Sequence, residues 1–289
     1  MANVACAGAG MKSGWGNLLL PVLLASAAGC ASQAPKSTAT AAPVAAAPTA
    51  AAPVYFSPGQ IDSIALIEPP PAAGSEAARA DLQAVMDAQR AAHAAGTTAR
   101  AVGDTEINCQ RVAEVLVAAA PPPAAGANFE PLVSGGGAAA VDFATRAAKQ
   151  ASAATGAPKR YWARARPYVD NPGVERLGDV APDSPLALAG GFERAHTSYP
   201  SGHTALGMVC AIVLAQMVPE QRAALFARAR VYGESRLIVG AHFPTDVDAG
   251  RRVGTAAAAV MLQNPQFRDD LRTARTRLRK ALGLPQLAP

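Results

Sequence analysis

The run Thr204–Val218, TALGMVCAIVLAQMV, constrains the fold more than any other stretch. It is apolar nearly all round and stops before Pro219, so as a helix it has no face to offer water and other helices must enclose it. Its 15 residues fall short of the ~20 needed to cross a bilayer, which makes it a core helix. Its surroundings are rich in Ala, Leu, Arg, Gln and Glu, all good helix formers, after a stiff entry at Pro69-Pro70-Pro71. No stretch alternates at period two for long enough to make a strand. The expected fold is therefore all-α, a compact helical bundle around a buried central helix. Helices are predicted at about 75–95, 105–119, 139–156, 204–218, 220–236, 246–262 and 267–282. The 246–262 helix carries Gly250, Gly254 and Ala256–Ala259, small residues that let a neighbouring helix approach closely. Gly135-Gly136-Gly137 lacks the lysine of a phosphate loop and reads as a flexible connection.

The first fifty-odd residues stand apart from this core. Met11-Lys12 opens a charged segment, Leu18–Leu24 is apolar, and small residues lead to Cys30, the layout of a secretory signal whose start lies at Met1 or Met11. The ending resembles a bacterial lipobox, so Cys30 is the expected lipidation site and a lipid anchor to the outer membrane the expected attachment. Ordinary cleavage nearby, leaving a soluble periplasmic protein, is the alternative. Ala, Pro, Thr and Ser then dominate from Ala31 to about Pro53, a composition too poor in large side chains to fold. The organisation expected is a signal at 1–30, a disordered tether at 31–58 and a folded domain at 59–289.

If Cys30 is lipidated, the folded part retains Cys109 and Cys210. An oxidising compartment allows them to pair, but two cysteines carry no spacing information, and a buried free thiol at Cys210 is the other reading. The net charge of +5 comes without a long basic run or interleaved aromatics, so nucleic-acid binding is not expected.

Three local clusters carry the chemistry. Lys159–Pro167, KRYWARARP, puts four cations in nine residues, and Arg166 precedes a proline that should end the helix there and fix its guanidinium fork for an anion. In TSYPSGHT (Thr197–Thr204), Gly202 permits a sharp turn into the central helix, whose first N–H groups lack intrahelical partners. Ser201, Gly202 and His203 can therefore offer backbone donors and a hydroxyl to one anion. In Gly233–Asp246, Pro244 reads as the first residue of a helix, which places His242 just before it and Asp246 in its first turn. A carboxylate there holds one imidazole nitrogen protonated and leaves the other free, the arrangement of a nucleophile. His203 has no carboxylate in its own motif, which suits a proton donor. Together the clusters supply what phosphoryl transfer needs: cationic forks, an ammonium, helix-start amides and two histidines in unlike settings.

In order and internal spacing these residues, Lys-x6-Arg-Pro, Pro-Ser-Gly-His and Ser-Arg-x5-His-x3-Asp, resemble the three-part motif of the type 2 phosphatidic acid phosphatase superfamily. The chain as a whole, over roughly residues 60 to 285, is similar to the bacterial class A non-specific acid phosphatases, also through Leu66–Pro71, Gly233–Arg236 and Asp246–Arg251. The resemblance implies a bundle of the PAP2/haloperoxidase type. It implies an acid phosphatase that hydrolyses small phosphomonoesters of broad range through a phosphohistidine, with inorganic phosphate or vanadate as inhibitors. In it His242 attacks phosphorus, Asp246 orients His242, and His203 protonates the leaving alcohol and then activates water. Lys159, Arg166, Ser201, Gly202 and Arg236 hold the phosphoryl oxygens; no metal or other cofactor is needed, and a homodimer is expected.

The same motifs occur in vanadium haloperoxidases and in lipid or pyrophosphate phosphatases. The membrane-embedded kind is disfavoured because no segment beyond the signal approaches ~18 consecutive apolar residues. A catalytically silent anion-binding lipoprotein would require two of the four histidines to fall on motif positions by chance. A zinc site is disfavoured by the scarcity of closely spaced His and Cys. His93 and His196 read as surface positions, the latter near the site entrance. Substrate preference is assigned to the 168–199 loop and the 105–119 helix.

Overall fold

The computed structural model describes residues 52–118, 130–184 and 194–288. The signal segment, Cys30 and most of the tether lie outside them. The described residues are helices and connections with no strand: α1 (Glu76–Ala94), α2 (Thr98–Gly103), α3 (Gln110–Ala113), α4 (Val115–Ala118), α5 (Glu130–Val133), α6 (Gly135–Ser152), α7 (Gly156–Trp162), α8 (Gly202–Met217), α9 (Arg222–Ile238), α10 (Pro244–Met261) and α11 (Pro265–Ala281).

The central helix is α8, and its apolar surface is consumed on all sides. Leu206, Val209, Cys210, Val213, Leu214 and Met217 are buried against α6, α9 and α10, while α11 lies against α6. The small residues of α10 have the purpose their size suggests. A Cβ at Gly250 would sit 2.4 Å from the Ser201 carbonyl oxygen and one at Gly254 2.5 Å from that of Ala205, so α10 and α8 meet nearly backbone to backbone at the start of α8. Among the described residues no helix is long and apolar enough to cross a membrane.

Several boundaries differ from those predicted. The folded body begins before residue 59: Tyr55 and Phe56 are buried, the Gln150 side chain accepts from both their amides, and Tyr55 packs edge-on against Phe143 and Phe267. The triple glycine is not a loose connection, because α6 starts at Gly135 itself. The helix with Lys159 ends at Trp162, four residues before Arg166, where Ala163 takes a left-handed conformation (φ 41°). Arg166 therefore sits on an extended segment and not at a helix end.

The predicted 105–119 helix is broken into short pieces with a loop at 104–109. Tertiary ties outweigh helix propensity there. Asp104 receives a bidentate Arg228 and the Ser235 hydroxyl, Tyr232 donates to the Glu106 carbonyl, and the Asn108 side chain caps the Gln110 amide. Cys109 forms a disulfide with Cys210 of α8, which decides between pairing and a free thiol.

Candidate active site

The three clusters converge at the start of α8, where Lys159 meets Thr197 across 38 residues and Ser198 meets His242 and Asp246 across 44 and 48. Ser201 is the N-cap of that helix: its hydroxyl oxygen accepts from the Thr204 amide (3.3 Å) and the Thr204 hydroxyl (2.9 Å). Having accepted twice, the hydroxyl keeps its own hydrogen to give. The Ser201 amide differs from expectation, since it donates to the Asp246 carbonyl (2.8 Å). The helix-start donors available to an anion are those of Gly202 and His203, which no helix carbonyl can reach. Lys159 from α7 lies alongside; a Cβ at Gly202 would be 3.9 Å from its Cε, and its ammonium donates to the Thr197 carbonyl (2.5 Å).

His242 is 2 % exposed and reached through a turn at Gly240, whose φ of +76° and closeness to the Glu175 carbonyl exclude a side chain. Arg166 Nη1 lies 3.3 Å from His242 Nε2. A guanidinium can only donate, so Nε2 carries the lone pair and the ring hydrogen is on Nδ1. Nδ1 faces Asp246 Oδ2 at 3.4 Å and Ser198 Oγ at 3.5 Å. Asp246 is fully buried and also accepts from Ser198 Oγ (2.5 Å), the Phe243 amide (2.8 Å) and Arg164 Nη1 (2.7 Å). His242 and Asp246, placed together from sequence, thus lie within reach of each other, with the Nε2 lone pair directed away from the carboxylate.

Arg164 was not singled out by sequence reasoning. It joins Asp246 to Asp81 of α1 (Nη2 to Oδ2, 2.8 Å), donates to Thr245, and lies 4.0 Å above the Phe243 ring. Asp81 in turn accepts from the Thr245 hydroxyl and amide. One arginine therefore neutralises two buried carboxylates, and α1 fixes the start of α10.

On the other side, His203 Nε2 lies 3.0 Å from the Thr105 carbonyl oxygen, an acceptor only. His203 therefore donates from Nε2, and Nδ1 is the nitrogen left to exchange a proton with a bound molecule. Burial, then Arg236 and Arg166, push its pKa down to about 3, against the opposing pull of Asp179 and the Thr105 hydrogen bond. Burial, and after it Arg166 and Lys159, likewise hold the His242 pKa well below the usual imidazole range.

Arg236 is fully buried and its Nη2 grips both oxygens of Asp179 (2.8 and 3.0 Å). Its Nε and Nη1 are buried without a hydrogen-bond partner. Buried guanidinium donors are costly to leave unmet, and this pair can donate to an anion. Asp179 was also missed from sequence. Burial alone would raise its pKa, but Arg236, His203 and Arg194 outweigh that and lower it to about 2, so it is ionised throughout the working range. Lys159 and Arg166 show the converse. Burial and then mutual repulsion with neighbouring cations bring Lys159 well below its usual range and Arg166 to about 10. Five cations, Lys159, Arg164, Arg166, Arg194 and Arg236, thus stand against the three carboxylates of Asp81, Asp179 and Asp246. No cluster of three or more metal-ligating side chains occurs among the described residues.

The fold and site define an all-α protein with a cationic anion pocket flanked by two histidines held in different ways. Residues 140–270, which contain all three motifs, match the family described as PAP2 superfamily. Similar proteins include an acid phosphatase of Zymomonas mobilis, 34% identical over 128 residues (44% of this chain and 44% of the relative). A non-specific acid phosphatase of Salmonella typhimurium is 38% identical over 125 residues (43% and 46%), and one of Providencia stuartii 42% over 83 (29% and 34%). The matched part spans less than half the length of each relative.

Proposed function

We propose that the protein is an acid phosphatase that hydrolyses phosphomonoesters by way of a phosphohistidine on His242, without a metal ion. The observation that carries this reading is the pair of unmet buried donors on Arg236 beside a histidine whose Nε2 lone pair is fixed by its neighbours. Arg166, Arg236, Lys159, the Ser201 hydroxyl and the Gly202 and His203 amides would hold the phosphoryl oxygens and stabilise the charge that spreads over them in the transition state. The Nε2 lone pair of His242 forms the N–P bond as the P–O bond to the leaving group breaks. Asp246 and Ser198 stabilise the positive charge that develops on the ring. The leaving oxygen takes a proton from His203 Nδ1. That nitrogen, now neutral, accepts a proton from water as the water oxygen attacks phosphorus, the N–P bond breaks, and phosphate leaves.

For His203 to act first as an acid it must be protonated in the complex. The incoming dianion supplies the negative charge that offsets Arg236 and Arg166 and raises its pKa. Activity should therefore favour mildly acidic pH. The Cys109–Cys210 disulfide supports an oxidising compartment, in keeping with export to the periplasm and lipidation of Cys30.

The test is hydrolysis of p-nitrophenyl phosphate in excess EDTA from mildly acidic to neutral pH, with acid-labile, base-stable label sought on His242 after rapid quenching. Turnover in EDTA with labelled His242 is expected. Turnover that needs added metal, or none at any pH, would overturn the proposal.

A further inference from the structure

Excess positive charge is confined to one part of the folded chain. Together α6 and α11 carry eight Lys and Arg residues against three Asp, whereas the rest of the chain after Ala51 carries 16 against 18 Asp and Glu. Arg279 is buried in a pair with Glu220, and Arg272 pairs with Asp269 of its own helix. The other six are Arg146 and Lys149 of α6 and Arg268, Arg275, Arg277 and Lys280 of α11. None of them has an ion-pair partner among the described residues, and all but the partly buried Arg275 are exposed. A basic run on a single helix is ordinarily a solvated face, but these cations belong to two packed helices with a chain entry seated between them.

The two helices border a groove of about 270 Å³ whose lining includes Tyr55, Phe143, Arg146 and Arg277. The strap Pro53–Phe56 is fastened there. The Gln150 side chain donates to the Pro53 carbonyl (2.9 Å), the Tyr55 hydroxyl to Asp270 (2.8 Å), and the Asn264 side chain to the Tyr55 carbonyl (3.1 Å). The chain that precedes Pro53 therefore joins the folded body on the basic face. Val54 of the strap is exposed, and so is Val133 of α5, which packs on α6 and α11. Cations with exposed apolar side chains among them suit a charged lipid interface. The aromatic rings on this side, Tyr55, Phe143 and Phe267, are buried and offer nothing for base stacking, which favours a lipid surface over a nucleic acid. Arg279 of α11 donates to the Met217 carbonyl (3.2 Å), about 22 Å along α8 from Gly202, so a partner held by α11 need not obstruct the anion pocket.

We propose that the exposed face of α6 and α11 docks on a lipid surface that carries anionic head groups. The attraction acts within a Debye length, which makes docking reversible and sensitive to salt. It needs no acyl chain at Cys30, although a chain anchored there would reach the membrane from the same side and hold the cations close to it. The inference is independent of the reaction proposed above.

Because Ala51–Pro289 is one compact unit with its own core, a chain starting at Ala31 keeps the folded body and lacks both Cys30 and the apolar signal. It is sedimented with vesicles of phosphatidylcholine alone and of equimolar phosphatidylcholine and phosphatidylglycerol, at low and at high salt. Partitioning to the anionic vesicles at low salt should exceed that to phosphatidylcholine by at least about tenfold and fall as salt is raised. Combined Arg146→Glu and Arg277→Glu should lower it by at least about tenfold, and Arg146→Gln with Arg277→Gln, which adds no negative charge, by less. Arg90→Glu with Arg100→Glu, on α1 and α2, changes net charge equally and should shift it by less than about twofold. Melting temperatures show which variants are folded. Equal partitioning to the two kinds of vesicle overturns the proposal, as does an equal loss in folded variants of the two faces. Retention on duplex DNA without vesicle binding would assign the face to nucleic acid and overturn it too.

Discussion

The two histidines face one pocket but are built into the molecule in opposite ways. His242 is fixed by charge. Its Nδ1 faces a fully buried carboxylate, and that carboxylate is saturated by a hydroxyl, an amide and an arginine whose far end is gripped by another helix. His203 is fixed by a single backbone carbonyl on the 104–109 loop, which is itself stapled to α8 by a disulfide and to α9 by Arg228 and Ser235. A nucleophile must keep one tautomer and one direction, and a buried ionic lattice enforces both. A proton donor must change its charge twice per turnover, and a neutral carbonyl partner permits that without a carboxylate locking it in the charged form.

The sharpest way to break this contrast is to remove each ring. His242→Ala should lower turnover by about 10⁴-fold or more and abolish the labelled phosphoenzyme. A covalent phosphoenzyme that survives in it would place the nucleophile elsewhere. His203→Ala should cost about 10²–10⁴-fold on alkyl phosphates. The loss in kcat/KM, which reports the phosphorylation step, should be smaller on p-nitrophenyl phosphate, whose leaving group needs little protonation, and in that variant phosphoenzyme should accumulate because water is no longer activated. A loss in kcat/KM independent of leaving group would remove His203 from protonating it.

Next in size is the support of the nucleophile. Arg164→Ala leaves Asp81 and Asp246 buried with unbalanced charge, which costs roughly 3–5 kcal/mol of stability. It should also lower kcat by up to about 10²-fold in the folded fraction, since a small misplacement of the attacking atom is enough for that. Arg164→Lys should recover little, because one ammonium cannot bridge both carboxylates with a fork. A purely structural Arg164 would reduce the folded fraction and leave kcat per folded molecule and its pH profile unchanged.

Legibility in the sequence follows the range of the contacts. The placement of His242, Pro244 and Asp246 could be read because a histidine, a helix start and its carboxylate lie within five residues, and a helix N-terminus imposes their geometry. The central helix was legible because fifteen apolar residues admit one environment, and the glycines of α10 because close packing needs them. The partners that tune the site were not legible. Arg164 stood in a cation-rich run, but Asp81, which shows its role, is 83 residues away. Asp179 lies 57 residues from Arg236, and Thr105 serves His203 across 98 residues with a carbonyl that every residue type possesses. The 104–109 loop defeated helix propensity for the same reason, since its conformation is set by Arg228, Ser235 and Cys210 and not by its own side chains.

The smallest expected effect concerns the pH dependence of stability. Both histidines are held neutral in the folded protein, His203 with a pKa of about 3, while in the unfolded chain each titrates near 6.5. As pH falls below about 6.5 the unfolded chain takes up protons that the folded site refuses. Stability contributed by these groups is thus complete above 6.5 and is lost on acidification, by at most about 1.4 kcal/mol per pH unit for each histidine, until the folded pKa is passed. A dianion in the pocket reverses the penalty for His203, because the charged imidazole becomes favourable beside it. Sulfate remains a dianion across this range and isolates the protein's own titration. Its stabilising effect on the melting temperature should therefore grow between neutral pH and pH 4, and His203→Gln should flatten that growth while His242→Gln preserves more of it. If the sulfate increment is independent of pH in the unaltered protein, His203 does not change its charge on anion binding, and the division of labour between the two histidines fails at its weaker half.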